Sequence, residues 1–187
     1  MSPKGYDYGA VLPSPVTLAE LEQLKAAAGF GETDARALKK AGDILIPQAE
    51  AMVDEWRGII GKQQHLSHWF AGPDGRPDDA YKAAVKPRFV QWIKDLCTRP
   101  FDQAWLDYQE EIGLRHTPQK KNKTDDAATP PLVPLRYLLA FTPPILAAAH
   151  ARLANAPDGA AMQAAWTKAV MLTLTLWARP YTLGGLW

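Results

Sequence analysis

Four histidines are the residues in this chain whose type could support metal chemistry. His65 and His68 lie three residues apart in the run HLSHWF, close enough on a helical turn to share one metal ion. No third ligand with suitable spacing accompanies them, so local packing explains this pair better. His150 lies in alanine-rich sequence without a partner, which favours a structural or exposed position.

His116 differs because it lies on the apolar stripe of a predicted helix. It follows Trp105 by eleven residues and Ile112 by four, so at about 100° per residue the three share one face. The pattern therefore places an imidazole at the end of a helix, on its buried side. Two interpretations follow: a core histidine bonded to a carbonyl, or the ligand of a metal or haem iron. Periodicity alone favours the first.

Other chemistries lack their motifs in this sequence. There is no glycine-rich phosphate loop, no zinc-binding H-E-x-x-H run and no nucleophile elbow. The basic stretch 115–123 has no interleaved aromatic residues and is followed by Asp125 and Asp126, while the formal net charge is only +1. We therefore expect neither nucleic acid nor an anionic membrane as a partner.

Cysteine usage and hydropathy suggest a cellular setting. The single cysteine, Cys97, excludes an internal disulfide framework. Arg179 and Pro180 interrupt the most apolar segment, so no run reaches the roughly 20 residues needed to span a bilayer. The first residues also lack the apolar core of a signal peptide. We expect a cytoplasmic protein.

The first half of the chain predicts an arm followed by helices. Residues 1–16, rich in glycine and proline, predict an extended N-terminal arm, and residues 17–187 predict one helical domain. Thr17 and Glu20 form a capping-box pattern that starts a short helix. A second helical stretch starts at Thr33, runs to about residue 60 and is divided by Pro47.

The second half predicts further helices and no strands. Helical spacing runs over 78–96, where Pro87 is expected to break or kink the helix. Another helix leads to His116, and a polar, proline-rich loop follows it. Two apolar helices, at about 135–155 and 158–178, close the chain. The absence of alternating patterns predicts an all-α fold.

Several segments, in order along the chain, resemble one family. AWLDYQEEIGLRH followed by KKNKTD is similar to the proximal helix and following loop of the protoglobins, the single-domain relatives of globin-coupled sensors. GYDYG at residues 5–9 resembles their opening, and AYKAAVKPRFVQWIKD their distal helix. PLRYLLAF and AWTKAVMLTLTLWARPY resemble their last two helices. The resemblance covers nearly the whole chain.

The resemblance implies a fold and a cofactor. The fold is the globin fold, a three-over-three helical sandwich, with an extra N-terminal helix. Haem b lies among the helices and the histidine after Gly-Leu-Arg, here His116, is the proximal iron ligand. Family members often have a second histidine next, where this chain has Thr117. The aromatic pocket residues map onto several helices, and the predicted pocket comprises Trp56, Arg57, Phe89, Trp92, Trp105 and Phe141.

Arg57 and Pro87 depart from the family pattern. Arg57 replaces a tyrosine whose phenol could bond to a bound gas, and it brings a guanidinium with five donors. Because neighbouring helical residues diverge by about 100°, Trp56 and Arg57 are not expected to point at the same spot. The cost of burying an unpaired charge favours an outward Arg57. Pro87 is expected to break the distal helix.

The resemblance also implies a function. The expected activity is reversible binding of O2, CO and NO by a homodimer that associates through its last two helices. The alternative is a haem enzyme that acts on NO, peroxide or nitrite, although a dioxygenase would need a separate reductase. A helical interaction domain without a cofactor is a third hypothesis.

Overall fold

All regular structure in the described residues is helical, as the sequence predicts. The structure, a computed structural model, describes residues 2–182 and 187; the final part of the predicted domain, 183–186, lies outside them. The α-helices are α1 (Leu18–Ala27), α2 (Glu32–Leu45), α3 (Ala49–Gly61), α4 (Gln64–Ser67), α5 (Asp79–Thr98), α6 (Gln103–Leu114), α7 (Leu135–Ala140), α8 (Thr142–Leu153) and α9 (Gly159–Ala178).

Side-chain caps fix where the main helices begin. At α1 the Thr17 N–H donates to Glu20 Oε2 at 2.7 Å, and the Glu20 N–H donates to Thr17 Oγ1 at 3.2 Å, so the predicted capping box is confirmed. Asp102 accepts the Trp105 N–H at 3.0 Å and starts α6 in the same way. Such caps satisfy backbone donors that the first helical turn leaves unpaired.

Pro47 and Pro87 have different effects on the helices that contain them. Pro47 lies in a short 3₁₀ turn, Ile46–Gln48, which separates α2 from α3 as predicted. The expected break at Pro87 is wrong, because α5 continues through it. Its missing N–H costs one helical hydrogen bond, about 3 kcal/mol with the ring clash. The burial of Trp92 and Ile93 on the next turns of α5, against α2 and α3, offsets that cost.

The predicted helix at 135–155 is in fact two helices. α7 ends at Ala140, and α8 begins at Thr142 with Pro143 and Pro144 in its first turn. Proline lacks the N–H that a continuing helix needs, but the first turn has no intrahelical partner for that group. The prolines therefore start a new helix at this point.

The long helices pack against one another. α9 packs against α2, α6 and α8, while α3 packs against α5 and α8. The all-helical architecture is the one expected, and α1 is the extra N-terminal helix, packed on α6. Buried side chains from these helices form one continuous core.

The N-terminal arm lies against α5 and α6. The Tyr6 hydroxyl donates to Asp95, and the Tyr6 and Tyr8 rings lie 5.0 and 5.4 Å from the Tyr108 ring. The Arg99 guanidinium lies 4.1 Å from the centre of the Tyr8 ring. These contacts hold the arm against the end of the molecule that contains the C-terminus of α6.

None of the helices that the structure describes combines the length and apolarity needed to cross a membrane.

Candidate functional site

The backbone of His116 is held in place by hydrogen bonds to three parts of the chain. α6 ends at Leu114, so His116 lies just beyond the helix rather than on its last turn. Its N–H donates to the Gly113 carbonyl at 3.0 Å. Its own carbonyl accepts the Val133 N–H at 2.8 Å and the Tyr181 hydroxyl at 3.1 Å. The end of α6, the segment before α7 and the turn after α9 therefore meet at this residue.

A close approach of α6 to α9 places Trp177 against the imidazole. A Cβ at Gly113 would lie 3.1 Å from Trp177 Cα and 3.2 Å from its carbonyl oxygen, so only glycine fits this crossing without displacement. The Trp177 and His116 rings stack with centroids 5.4 Å apart. The Trp177 indole N–H donates to buried Gln109 at 3.1 Å, which fixes the indole ring.

The His116 imidazole is neutral and has one nitrogen available. Burial lowers its pKa to about 4; its hydrogen bond to Ile112 opposes that shift, and the charge of Lys121 adds to it. The Ile112 carbonyl lies 2.8 Å from Nδ1 and can only accept, so Nδ1 carries the proton. Nε2 then has a lone pair, and its proton-free state suits a metal ligand.

His116 lines an apolar cleft, which we call the central cleft and which has a volume of about 100 Å³. Arg57 is the only charged residue among the described residues that line it. The lining comes from α3, the α4 region, α5, α7, α8 and α9: Val53, Trp56, Arg57, Ile60, Leu66, Trp69, Phe70, Phe89, His116, Val133, Tyr137, Leu138, Phe141, Ile145, Leu174 and Trp177.

Two further clefts adjoin the central cleft. The lateral cleft lies between α5 and the His116 segment and shares five lining residues with it: Phe70, Phe89, His116, Val133 and Trp177. The outer cleft lies between α3 and α5 and shares four: Arg57, Ile60, Phe70 and Phe89. Phe89 thus borders all three clefts, and His116 borders the central and the lateral cleft.

Comparison with known proteins now identifies the family. The family model described as Protoglobin matches residues 17–186 of the 187-residue chain. The chain belongs to the protoglobin family. No curated protein matches it at a significant level. Membership implies a globin fold, which agrees with the helical structure of the described residues, and a haem cofactor.

The residues of this protoglobin suit a haem at the cleft. Haem needs an apolar slot and a neutral imidazole whose second nitrogen has an acceptor. His116 meets the second requirement through Ile112, and the cleft walls meet the first. The indole nitrogens of Trp56 and Trp69 are also buried without a partner, although both residues line the cleft. A group bound there would give these donors an acceptor that the described residues do not supply.

Most of the predicted pocket residues lie at the clefts. Trp56, Arg57, Phe89 and Phe141 line the central cleft, and Trp92 lines the lateral cleft. Trp56 is buried, with its ring 6.3 Å from that of Trp92. Arg57 is half-buried and borders both the central and the outer cleft. Its expected outward orientation, towards solvent or a haem propionate, stays a prediction.

Trp105 does not reach the clefts. It is fully buried, with its ring stacked 4.0 Å from that of Phe101 at the start of α6. Eleven residues of helix span about 16 Å along the axis, so sharing a face with His116 does not bring the two together. The prediction counted Trp105 among the aromatic residues of separate helices that supply apolar surface for a haem slot, and it took no account of this distance.

The other three histidines lie on the surface or contact neighbouring side chains, in line with the local packing or exposed positions that the sequence favoured. His65 and His68 are exposed, and their rings lie next to those of Tyr137 and Trp69. His150 Nε2 lies 3.0 Å from Thr167 Oγ1. Among the described residues there is no group of three histidine, cysteine or acidic side chains that could hold a bare metal ion.

Sequence reasoning missed part of the pocket wall. Trp177 matches a segment similar to the family's last helix, yet its contact with His116 depends on the crossing at Gly113. Val133 lies in an irregular segment and Trp69 in the short 3₁₀ turn His68–Phe70, and neither is long enough for a periodic pattern to mark a buried side. Only the fold brings them to the cleft.

Proposed function

We propose that this protoglobin binds haem b in the central and lateral clefts, with His116 as the proximal iron ligand, and reversibly binds diatomic gases such as O2, CO and NO. The observation that carries the proposal is a buried, neutral imidazole whose Nδ1–H is committed to Ile112 and whose Nε2 is free beside an apolar cleft. When bound, the haem would supply an iron centre that can bind diatomic molecules.

The chain's own residues orient the His116 imidazole and keep water away from the site of gas binding. The Ile112 carbonyl holds the proton on Nδ1 and sets the rotation of the ring, while Trp177 restricts it from the side. Phe89 and Phe141 contribute apolar wall, which limits access of water and protons to the bound gas. These features support reversible binding over redox chemistry.

One observation favours a second function. Arg57 borders the central cleft, while its neighbours Asp54 and Glu55 pair with Lys86 and Arg152 instead. A guanidinium is a strong donor to anions. We therefore keep haem enzymology, with nitrite or peroxide as substrate, as the alternative to gas binding.

Partners and location are also part of the proposal. We infer a homodimer through the last two long helices, supported by an exposed apolar spot on α9. There Met171 is 45% exposed, and the Trp187 indole donates to the Thr175 carbonyl at 3.0 Å. Sedimentation equilibrium of Met171→Glu against the wild type tests it. A cytoplasmic location agrees with a buried Cys97, whose pKa burial raises to about 12, so its thiol stays protonated.

Absorbance and haem content of the purified protein test the main function. We expect a Soret band, one haem per chain, and a ferrous form that binds CO. His116→Gly should lose most haem, and added imidazole should restore the spectrum by occupying the vacated position. His68→Gly, which removes an exposed histidine, is the matched control and should retain haem. A His116→Gly protein with an unchanged five-coordinate ferrous spectrum would contradict the assignment.

A further inference from the structure

Lys121 is a buried cation without a carboxylate partner. It is 4% exposed, and its ammonium donates to the Trp69 carbonyl at 3.1 Å, Asn122 Oδ1 at 3.0 Å and Thr129 Oγ1 at 2.8 Å. It also lies 5.1 Å from the centre of the Tyr81 ring. All of these partners are neutral. They satisfy the donors of the ammonium but leave its charge uncompensated.

Burial of such a charge is costly unless an anion accompanies it. Desolvation lowers the pKa of Lys121 to about 8, which reflects that cost. Buried ammonium groups in proteins are usually paired with carboxylates or other anions. Among the described residues, no carboxylate forms an ion pair with Lys121, so its counter-charge must come from elsewhere.

The location of Lys121 indicates where that anion would bind. Lys121 lines the lateral cleft together with His116, Arg88 and Arg115. Arg88 pairs with Asp125, and Arg115 pairs with Glu111 at 2.8 Å. Two of the cations at this cleft are therefore already neutralised by the protein. Lys121 supplies the remaining positive charge at this cleft.

We propose that Lys121 recognises a carboxylate of the bound haem at the lateral cleft. This inference rests on the proposed haem binding. It adds a specificity-determining residue: the chain prefers a dicarboxylate porphyrin because one carboxylate compensates the ammonium. The Trp69, Asn122 and Thr129 contacts position the ammonium before the cofactor arrives.

Haem and its dimethyl ester, which lacks both carboxylate charges, provide the test. The measurement is the rate of cofactor loss to excess apomyoglobin for each cofactor from wild type, Lys121→Gln and Lys121→Met. Lys121→Gln keeps hydrogen-bond donors for the loop and removes the charge. We expect both variants to lose haem roughly ten- to a hundredfold faster, as for loss of a charged hydrogen bond, and the ester at nearly the wild-type rate.

Lys120→Gln is the matched control, because the neighbouring Lys120 already pairs with Glu111. It should change haem and ester loss by the same factor. Thermal melts of the apoproteins identify a variant that fails to fold, and Lys121→Gln is the variant chosen to avoid this. If haem and ester are lost faster by the same factor, Lys121 stabilises the structure and does not recognise the carboxylate. If haem loss is unchanged, Lys121 binds some other, free anion. Either result overturns the proposal. Failure of wild type to bind haem would instead refute the proposed function.

Discussion

The buried His116 predicts a specific pH dependence of the apoprotein's stability. Its pKa is about 4 in the folded chain, because burial disfavours the charged ring, against an ordinary value of 6.5. Between these values the unfolded chain binds a proton that the folded chain does not. The contribution to the free energy of unfolding is therefore complete above pH 6.5 and is lost as the pH falls towards 4.

The size of this effect follows from the same two values. Each pKa unit corresponds to about 1.4 kcal/mol, so an interval of about 2.5 units gives about 3 kcal/mol. The substitution that isolates it is His116→Asn, since the asparagine amide can still donate to the Ile112 carbonyl but does not titrate. We expect the stability of this variant to fall by about 3 kcal/mol less than wild type between pH 6.5 and 4.

Urea unfolding of haem-free protein, followed by circular dichroism from pH 7 to 4, measures the difference. His65→Asn, an exposed histidine on α4, is the control and should follow the wild-type profile. The variants are compared by midpoint and slope, because a changed slope would indicate a different extent of unfolding. If His116→Asn and wild type lose stability in parallel over this range, then His116 is accessible to protons and is not the buried neutral ligand inferred above.

Three further predictions concern other parts of the chain. Phe89→Ala should accelerate CO rebinding after flash photolysis and cost less stability than the roughly 3–5 kcal/mol of a fully buried aromatic, because Phe89 is only partly buried; unchanged rebinding would remove Phe89 from the ligand's path. Arg57→Leu should weaken ferric binding of azide or fluoride by roughly ten- to a hundredfold and CO binding much less, as measured by optical titration. Small, equal effects would place this guanidinium outside the pocket. Thr17→Ala should cost about 0.5–2 kcal/mol in urea unfolding and leave haem content unchanged, because the capping box stabilises only α1; a loss of haem would show that α1 supports the pocket.

Local signals in the sequence predicted where several of the helices begin and end. The capping box at Thr17 and the break at Pro47 depend on neighbouring residues, and both appear where expected. Pro87 and the segment 135–155 show the limit of such signals. Whether a proline bends, breaks or starts a helix depends on what the helix packs against and on which turn it occupies.

Tertiary distances explain the errors in the predicted pocket. Periodicity gives the face of a helix but not the position of a residue along the axis, and Trp105 lies in the first turn of α6 whereas His116 lies beyond its last residue, Leu114. Trp177 reaches His116 only because Gly113 allows α6 and α9 to touch. Lys121 looked like part of a solvated basic loop, yet the fold buries it. None of these contacts leaves a pattern in a single sequence.

The structure also supplies a physical reason to choose among the four histidines, which periodicity could not do. His65 and His68 are exposed, so water competes for their nitrogens, and His150 already contacts Thr167. His116 alone combines burial, a carbonyl that fixes the proton on one nitrogen, and a second nitrogen beside a cleft. The hydrogen bond that made a plain core histidine plausible is the same one that prepares Nε2 for iron. The two interpretations of His116 therefore share one geometry, and the apolar cleft that His116 lines supports the proposal of an iron ligand.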